Sequence, residues 1–573
     1  MHRRSLVAGF VLSLFLAAGA ATADSLRFVP LDDPVYDFLE YARTASRLEF
    51  LPRVRPYAQR DVTRLLNEVL GSADDAAEGR AWISTTARLH LQRLSSPRRR
   101  LAESSFSEDG SVTVDGSIVL RTDAALNRLR DTIPTLITPF GLGIDLADDI
   151  HVSLDVVPRF AYWAWYEEPY PLYEEPLLRD YYTYTYWFDT GEGSFNHGAT
   201  HEPGRDSFRI AFDTTNQFSV NMEHLTLTTG RHALDWGPAS EANLILSGTA
   251  KPYDYIGFTL PLGGSGTFAW TTAILQDFAF QPGPMEERLL SAHSIGYQIT
   301  DRLYLALYES VVYDFTFELA YLNPLSFYYI TEVTQGSDDN KLGGVDLVVN
   351  LPNVELYGSF FGDDWDAGRM FSLNSSHNIW AGILGARTAG LFTPGLSLNL
   401  ELTYLSHWMY THFTWESISD VGRSYQHYGA HLGHYLDPNS WMAYLAGRYD
   451  FAPQSTAGAA FRIIQNGRGD INAPANWQAE SELHGVEDYR DIYYTFLDRG
   501  KEGFTIDTTL DWSVSGRHVI PDTGLAVEGE YTVQYSFAQA TEDLSIVPDS
   551  PLWEHFLSVQ VSWTPGVLWR GAR

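Results

Sequence analysis

The chain of 573 residues contains no cysteine. This absence excludes disulfide bonds and an acylated lipoprotein anchor, which needs a cysteine. Beyond the N-terminal two dozen residues, no segment approaches the roughly 18 consecutive apolar residues of a membrane-spanning helix. Basic residues are scarce, because 39 Lys and Arg face 72 Asp and Glu, for a formal net charge of −33. That balance argues against nucleic acid as a partner, and against direct binding of an anionic polymer without bridging cations.

Short catalytic signatures are missing too. The chain has no Gly-x-Ser-x-Gly elbow, no His-Glu-x-x-His pair and no phosphate-cradling glycine loop. We therefore expect no enzyme activity and no cofactor. A catalytic dyad assembled from separate strands would escape such a search, so a barrel hydrolase stays the third functional alternative, with no residue to nominate.

The N-terminus has the pattern of a secretion signal. Basic residues at 2–4 precede an apolar core at 6–16 and a small-residue cleavage site at 21–23. Residues 1–23 are therefore predicted to be a signal peptide, removed on export to the cell envelope.

Residues 24–105 are predicted to form a small helical unit in the periplasm. Two apolar faces repeat at helical spacing, the second after Pro56, which would start its helix. Their members are Val35, Phe38, Leu39 and Ala42, then Val62, Leu65, Leu66 and Val69. A third helix is predicted between residues 76 and 94. Three short helices make a marginal core, so we expect the unit to pack against a larger body. The basic run at 97–100 is expected to be a solvated linker that touches lipid phosphates at most.

Residues 106–573 follow a period of two, in segments of about ten residues separated by turns. In the segment 396–404, one face carries four leucines and Tyr404, and the other carries Ser397, Asn399, Glu401 and Thr403. Such a strand meets two different environments. Because a secretion signal precedes it, we interpret one face as lipid-facing and the other as lining a polar lumen. The predicted fold class is all-β: a transmembrane antiparallel β-barrel in the bacterial outer membrane.

The candidate strands set the size of this barrel. They lie within residues 111–121, 150–165, 207–229, 252–280, 291–313, 342–361, 379–404, 441–465, 504–515, 525–537 and 555–563. Several windows fit two strands, with tight hairpins expected at Thr300-Asp301 and Pro352-Asn353. At about 25 residues per strand with its loop, the barrel has about 16–18 strands. A soluble β-sandwich could show the same alternation, but at this size it would split into domains, and no boundary follows residue 110.

The last candidate strand carries a recognisable terminal pattern. Leu557, Val559, Val561 and Trp563 alternate with Ser558, Gln560 and Ser562. This resembles the aromatic-ended signal of outer-membrane proteins, so the barrel-assembly machinery is an expected partner. Ten residues follow Trp563, whereas the signal usually ends the chain.

The segment from Gly230 to Pro252 carries the most specific pattern. Here the chain resembles the Wzi family of capsule-assembly outer-membrane proteins, whose barrels carry an Arg, a Trp-Gly-Pro turn, and a leucine-rich strand ending in Ser and a basic residue before Pro. The matching positions are Arg231, Trp236, Gly237, Pro238, Leu244, Leu246, Ser247, Ala250 and Pro252. The chain departs from the pattern at Ala239, where a second Gly is usual, and at Gly248-Thr249, which replace an Asn-rich pair.

Two further stretches resemble the same family: residues 321–325 followed by 339–343, and residues 432–438. The helical segment is also similar in placement to the family's periplasmic helical unit. The resemblance implies a lectin-like, non-catalytic protein that holds capsular or other surface polysaccharide at the cell face, with outer-membrane lipid around it. We expect a monomer. Asn323, Asn340 and His434 become candidate polysaccharide-binding residues through their place in these stretches.

Aromatic residues make up 14% of the chain, with 33 Tyr and 16 Trp, which suits interfacial girdles and sugar-facing surfaces. Arg231, Asp235 and Trp236 together offer a guanidinium, a carboxylate and a ring for sugar hydroxyls and a pyranose face. The alternative is an interior ion pair that braces the barrel wall beside a girdle tryptophan. The acidic, tyrosine-rich stretch 166–189 includes Tyr184 and Tyr186 as candidates for sugar stacking. It could equally be an interfacial belt or a self-packed loop.

Metal sites are weaker candidates. His427, His431 and His434 are spaced like ligands on one helical face, so a helical loop there would permit a zinc or nickel site. Scattered loop histidines are the favoured interpretation, and we predict no metal. The acidic stretches 338–340 and 363–366 lack the full spacing of a calcium loop and are expected to be solvated turns.

Two functions are thus carried forward from the sequence. The first is binding or assembly of surface polysaccharide without covalent chemistry. The second is a sugar- or cation-selective porin, with an open lumen lined by charged side chains.

Overall fold

The structure is a computed structural model. It describes residues 25–72, 78–95, 100–107, 110–125, 132–146, 149–163, 187–189, 207–222, 224–276, 287–314, 318–336, 339–363, 379–406, 408–412, 423–428, 430–452, 454–467, 505–520, 523–540, 545–548, 550–564 and 569–570. The predicted signal peptide, residues 1–23, lies outside the described residues.

Three helices form the predicted N-terminal unit: α1 (Val35–Thr44), α2 (Gln59–Gly71) and α3 (Glu78–Ser95). All eight apolar residues of the two predicted faces are buried, in one core with residues of α3. Helix α2 begins at Gln59, three residues later than the sequence predicts, because the segment around Pro56 is a short strand and a turn. Among the described residues, no helix is both long and apolar enough to cross a membrane.

The strands, in chain order, are β1 (Val54–Arg55), β2 (Arg100–Ser107), β3 (Gly110–Gly116), β4 (Ile118–Ala125), β5 (Thr132–Ile137), β6 (Phe140–Leu146), β7 (Ile150–Trp163), β8 (Trp187–Asp189), β9 (Ser207–Met222), β10 (Leu225–His232), β11 (Asp235–Trp236), β12 (Leu246–Ser247), β13 (Tyr253–Pro261), β14 (Gly266–Gln276), β15 (Glu287–Thr300), β16 (Leu303–Asp314), β17 (Asn340–Leu351), β18 (Val354–Asp363), β19 (Ile379–Ala389), β20 (Leu396–Leu405), β21 (Gln426–His427), β22 (Ala430–His431), β23 (Ser440–Ala452), β24 (Ser455–Asn466), β25 (Thr505–Ile520), β26 (Leu525–Ala540), β27 (Leu552–Trp563) and β28 (Trp569–Arg570). Two short helices, α4 (Leu319–Leu322) and α5 (Tyr328–Gln335), lie between β16 and β17.

The strands close an antiparallel barrel of 18 strands, which confirms the predicted fold class. Strands β3 and β4 act as one bent strand, as do β5 and β6, and the last barrel strand β27 closes on β4. The turns are short at one end of the barrel, including the predicted hairpins at residues 300–303 and 351–354. Long connections, such as those between β10 and β13 and between β20 and β23, emerge at the other end.

The predicted two-faced strand has the expected orientation. In β20, Leu400 and Leu402 are each 48% exposed, whereas Glu401 and Thr403 are buried on the lumen side. In β27, the exposed side chains of Val559, Val561 and Trp563 likewise form the outer face. The barrel thus presents an apolar outer wall and a polar inner wall, as a bilayer requires.

Sequence analysis missed the strands β2, β5 and β6. Strands β5 and β6 are interrupted at residues 138–139, so neither matches the ten-residue alternation expected of a barrel strand. Strand β2 starts at Arg100, inside the predicted linker, and crosses the predicted boundary at residue 105. The other linker residues, 97–99, lie outside the described residues.

The helical unit packs against the short-turn end of the barrel, as its marginal core led us to expect. Tyr41 Oη accepts the N–H of Gly395, 3.1 Å away in the turn between β19 and β20. Arg43 donates to Gln298 Oε1 at 3.1 Å, beside the turn between β15 and β16.

Candidate functional site

Two long connections enter the lumen instead of extending from the barrel. They are residues 233–252, between β10 and β13, and the described residues 406, 408–412, 423–428 and 430–439, between β20 and β23. We call them the inward loops. Their apolar side chains form one core with side chains of the inner wall. This core includes Leu234, Trp236, Leu244, Leu246, Tyr410, Tyr425 and Leu432 from the loops, and Tyr253, Tyr304, Tyr308 and Phe361 from the wall. The lumen beside strands β13–β23 is therefore filled by packed protein.

Buried hydrogen bonds hold the two inward loops to each other. Tyr410 Oη donates to the carbonyl of Leu244 at 2.8 Å, and Tyr425 Oη donates to the carbonyl of Ile245 at 2.9 Å. Gly237 adopts a φ of 135° against the side chain of Asn243, where any Cβ would collide. The Trp-Gly-Pro turn therefore needs its glycine for local geometry.

A three-stranded sheet inside the lumen joins the first inward loop to the helical unit. Strand β11 pairs with β1, so that Val54 faces Trp236 and Arg55 faces Asp235, and β11 also pairs with β12. Arg55 Nη2 lies 3.0 Å from Asp235 Oδ2, and Asn243 Nδ2 donates to Asp235 Oδ1 at 2.6 Å. We call this the lumen sheet. It connects a loop from one end of the barrel to a unit docked at the other end.

A buried charge network lies beside the lumen sheet. Arg53 lies 2.5 Å from Glu40 of the helical unit and 2.8 Å from Glu355 of the barrel wall. Arg387, on the adjacent wall strand β19, lies 2.6 Å from Glu40 and 3.5 Å from Glu355. Burial alone would raise the pKa of Glu40, but the surrounding guanidinium groups overcome it and lower that pKa to about 2. Glu40 therefore stays ionised.

The structure does not bring the predicted Arg231, Asp235 and Trp236 into one site. Arg231 pairs with Asp254 on the neighbouring strand, 3.0 Å away, on the face opposite the lumen-facing Gly230 and His232. Asp235 makes an interior ion pair with Arg55 of the helical unit, and not the pair bracing the barrel wall that the sequence offered as the alternative. Trp236 is only 4% exposed, so its ring packs in the lumen core and offers no face to a sugar; nor is it a girdle tryptophan.

The other candidate residues are also dispersed. Asn323 is exposed on the outside of the barrel, where its Oδ1 accepts the N–H of Leu325. Asn340 is buried and donates to the carbonyl of Arg423 at 2.9 Å. Tyr184 and Tyr186 lie outside the described residues.

His427, His431 and His434 do not share a helical face. The first two lie on a two-stranded hairpin, β21 and β22, because Gln426 and His427 pair across a tight turn with the following strand. His431 Nε2 contacts Asp437 Oδ1 at 3.1 Å, and His434 Nδ1 accepts the N–H of Leu436. Burial lowers the pKa of His434 to about 3. Within the described ranges, no cluster of three or more acidic or histidine side chains could hold a metal ion.

The acidic stretches are not solvated turns where they are described. Asp339 is buried, accepts the hydroxyl of Tyr321 at 2.8 Å and lies 3.6 Å from Arg423. Asp363 is buried and accepts the N–H of Tyr410 at 3.0 Å. Residues 338 and 364–366 lie outside the described residues.

A polar cluster that sequence analysis missed lies where the inward loops meet strands β23–β25. Arg462 Nη2 lies 2.6 Å from Glu241 of the first loop, and Nη1 lies 3.6 Å from Asp511 of β25. Tyr435 Oη of the second loop donates to Glu241 at 3.0 Å, and the Arg462 guanidinium lies 5.4 Å from the Tyr444 ring centroid. We call this the lumen cluster. No sequence motif marks it, because its five members come from five separate elements: the two inward loops and the strands β23, β24 and β25.

The lumen cluster has the chemistry of a sugar subsite. The side chain of Arg462 is 31% exposed, so solvent reaches the cluster at the edge of the packed loops. Carboxylates accept from sugar hydroxyls, guanidinium and phenol groups donate to them, and tyrosine rings stack on pyranose faces.

Comparison with solved structures identifies the architecture. Wzi, described as an outer-membrane protein involved in group 1 capsule assembly in Escherichia coli and as a carbohydrate-binding β-barrel, matches with a TM-score of 0.55 and 12% sequence identity. The match covers 94% of this chain and 100% of that one. The chain is an outer-membrane β-barrel. At this identity the likeness shows the fold alone, and this is the Wzi-like fold that the segment 230–252 predicts. By the general rule for outer-membrane barrels, the end with the short turns is assigned to the periplasm.

Two proteins of Pseudomonas aeruginosa also match, at lower scores. OprD matches with a TM-score of 0.40 and 10% identity, covering 82% of this chain and 97% of that one. OpdQ matches with a TM-score of 0.40 and 10% identity, covering 81% and 100%. Scores of this size carry no argument about function. No family model and no curated protein matches the sequence.

Proposed function

We propose that this barrel binds surface polysaccharide at the cell face and helps to attach or assemble it, without catalysis and without conducting solutes. The observation that carries the proposal is the lumen sheet. A pore would keep its lumen clear, whereas here a periplasmic unit and an extracellular loop pair with each other inside it.

The lumen cluster is the proposed contact for glycan. Glu241 and Tyr435 come from the inward loops, so polymer bound there would rest on the loops that fill the lumen. The net charge of −33 favours a neutral glycan, or an acidic one held through divalent cations. Wzi, which shares the fold, is described as carbohydrate-binding, and this supports the same assignment here.

Conductance separates the proposal from the porin alternative. The refolded protein would be inserted in a planar bilayer, with insertion checked by heat-modifiable gel mobility. We expect no steady current. Large ohmic steps with cation preference would overturn the proposal and make transport the function.

Binding of glycan would then be measured on immobilised neutral and acidic capsular polysaccharides, with and without Ca²⁺. We expect Glu241→Gln and Arg462→Gln to weaken binding about tenfold or more, because each removes a charge-assisted hydrogen bond. Arg159→Gln is the matched control: Arg159 pairs with Asp213 at 2.9 Å, has a similar exposure, and lies outside the cluster. It should bind like the unaltered protein. Retained binding in both cluster variants would show that the glycan contacts another part of the barrel.

A further inference from the structure

The connection between β16 and β17 folds back over the outside of the barrel. Side chains of β16 alternate between the two faces, and Leu307 on the outer face is 53% exposed. Val311 and Tyr313 share that face by the same alternation, yet both are fully buried. They form an apolar cluster with Tyr321 of α4 and Tyr328 of α5. The segment that carries α4 and α5 therefore covers the outer wall.

We call this segment, residues 318–336, the outer collar. It supplies partners for polar groups on the outer wall. Glu309 accepts the backbone N–H of Tyr328 at 3.0 Å, and its carboxylate lies 3.4 Å from His293 Nε2. The His293 ring in turn packs 4.6 Å from the ring of Tyr328. Acyl chains could not satisfy such groups, so the collar makes a polar patch compatible with lipid.

Of the two acidic residues of the outer collar, Glu318 and Glu332, the one on α5 forms an ion pair with the barrel wall. Glu332 of α5 lies 2.5 Å from Lys341 of β17, and this ammonium group also lies 5.5 Å from the Tyr329 ring centroid. An acid and a base that neutralise each other at short range are more easily accommodated in a medium of low polarity than either is alone.

The outward face of the outer collar is apolar. Its exposed side chains are Leu319 (71%), Leu325 (76%), Phe327 (66%), Tyr329 (49%), Ile330 (58%) and Val333 (65%). A loop standing in water rarely presents so many large apolar side chains together. The face is continuous with the lipid-facing wall, where Leu307 and Leu347 are also exposed.

The depth of the collar follows from the strand it covers. The apolar outer wall reaches the short periplasmic turn, where Ile299 is 53% exposed. A barrel strand crosses the hydrocarbon in about 9–11 residues. Counted from Leu303, that span ends near Val311–Tyr313, so Glu309 and the collar on top of it lie at the level of the outer leaflet.

We propose that the outer collar is a lipid-binding element that inserts its apolar face among the acyl chains of the outer leaflet. The segment covers the polar patch at Glu309, widens the barrel's hydrophobic surface on this side, and anchors the extracellular end of β16 and β17 in the membrane. The stretch 321–325, singled out in the sequence, forms part of this element.

The absence of cysteine makes the test direct, because every introduced cysteine is unique. Ile330→Cys and Val333→Cys would be labelled with an environment-sensitive fluorophore and reconstituted in phosphatidylcholine and phosphatidylglycerol vesicles. Leu307→Cys is the control in the lipid-facing wall, and Asp437→Cys is the control in an inward loop. We expect brominated acyl chains to quench the labels at 330 and 333 as strongly as the label at 307. Aqueous iodide should quench only the label at 437.

Two results would overturn the proposal. Iodide quenching at 330 and 333 equal to that at 437 would place the collar in water. Protection from both quenchers, with cross-linking between chains through Ile330→Cys, would make the face a contact between copies. A further variant, Ile330→Lys in the chain labelled at 333, should raise iodide quenching if lipid holds the collar, while the barrel keeps its heat-modifiable mobility.

Discussion

At the scale of single residues, the buried charge network is stable because every charge in it has oppositely charged partners. Glu40, Arg53, Glu355 and Arg387 are each largely removed from water, which alone would penalise every one of them. Each carboxylate faces two guanidinium groups at short range. Removing one partner leaves an uncompensated charge, and that is more destabilising than the net contribution of the intact network suggests.

We therefore expect Arg53→Met to lower the free energy of unfolding by about 3–5 kcal/mol, the range for breaking a buried ion pair. Urea unfolding followed by tryptophan fluorescence would measure the change. Arg64→Met is the control, because Arg64 is 61% exposed and lies 4.0 Å from Asp61. It should change stability by less than about 0.5 kcal/mol. Equal losses in the two variants would contradict the role assigned to Arg53.

His434 predicts a loss of stability in acid. Burial lowers its pKa to about 3 in the folded protein, whereas an unfolded histidine titrates near 6.5. The unfolded state therefore binds the proton first as the pH falls. The stability that depends on a neutral His434 is fully present above pH 6.5 and declines as the pH falls toward 3. Between pH 7 and pH 5 the loss is at most about 2 kcal/mol. His434→Gln should reduce this loss in urea unfolding, whereas a change at the exposed His224 should leave it unaltered.

At the scale of elements, the sequence predicted the features that depend on patterns within a single helix or strand. The faces of α1 and α2 and the alternation in β20 and β27 depend on residues within one element, and the structure confirms them. The spacing of four between His427 and His431 did not require a helix, because a tight hairpin also brings residues four apart together. Strands of two residues such as β1 and β11 carry no period, and their pairing joins segments about 180 residues apart, so the lumen sheet and lumen cluster had no readable signal.

The lumen sheet predicts a specific cross-link. Arg55 and Asp235 face each other as partners in an antiparallel pair, within the Cα separation that a disulfide spans. The double variant Arg55→Cys with Asp235→Cys should therefore form a disulfide under mild oxidation, seen as a reductant-sensitive gel shift. Pairing Asp235→Cys with Arg64→Cys, on the exposed side of α2, should give no shift. A shift in that control instead would contradict the arrangement.

At the scale of the whole molecule, the protein is a barrel whose two ends are connected through its interior. The helical unit holds the periplasmic turns at Gln298 and Gly395, and through β1 it also holds an extracellular loop. The inward loops fill the lumen and the outer collar covers part of the outer wall, whereas in a simple barrel such connections extend into water. These two features distinguish the protein from a barrel of 18 strands whose loops all extend into water.

Deleting residues 25–95 should make the lumen permeable to ions. The wall residues Glu355 and Arg387 would lose Glu40 and Arg53, and β11 would lose its partner strand. We expect the deleted form to remain heat-modifiable, because the wall ladder is intact, and to show intermittent current in planar bilayers. A silent deletion variant would mean that the inward loops seal the lumen unaided.

The lumen sheet also constrains how the molecule is made. An early segment, residues 54–55, ends up enclosed by wall strands synthesised long after it, and the enclosure is finished only when β27 meets β4. The first inward loop must already lie inside at that moment, since the same wall later blocks its way in from the side. During assembly, the inward loop and β1 must therefore enter the lumen before β27 pairs with β4 and closes the barrel.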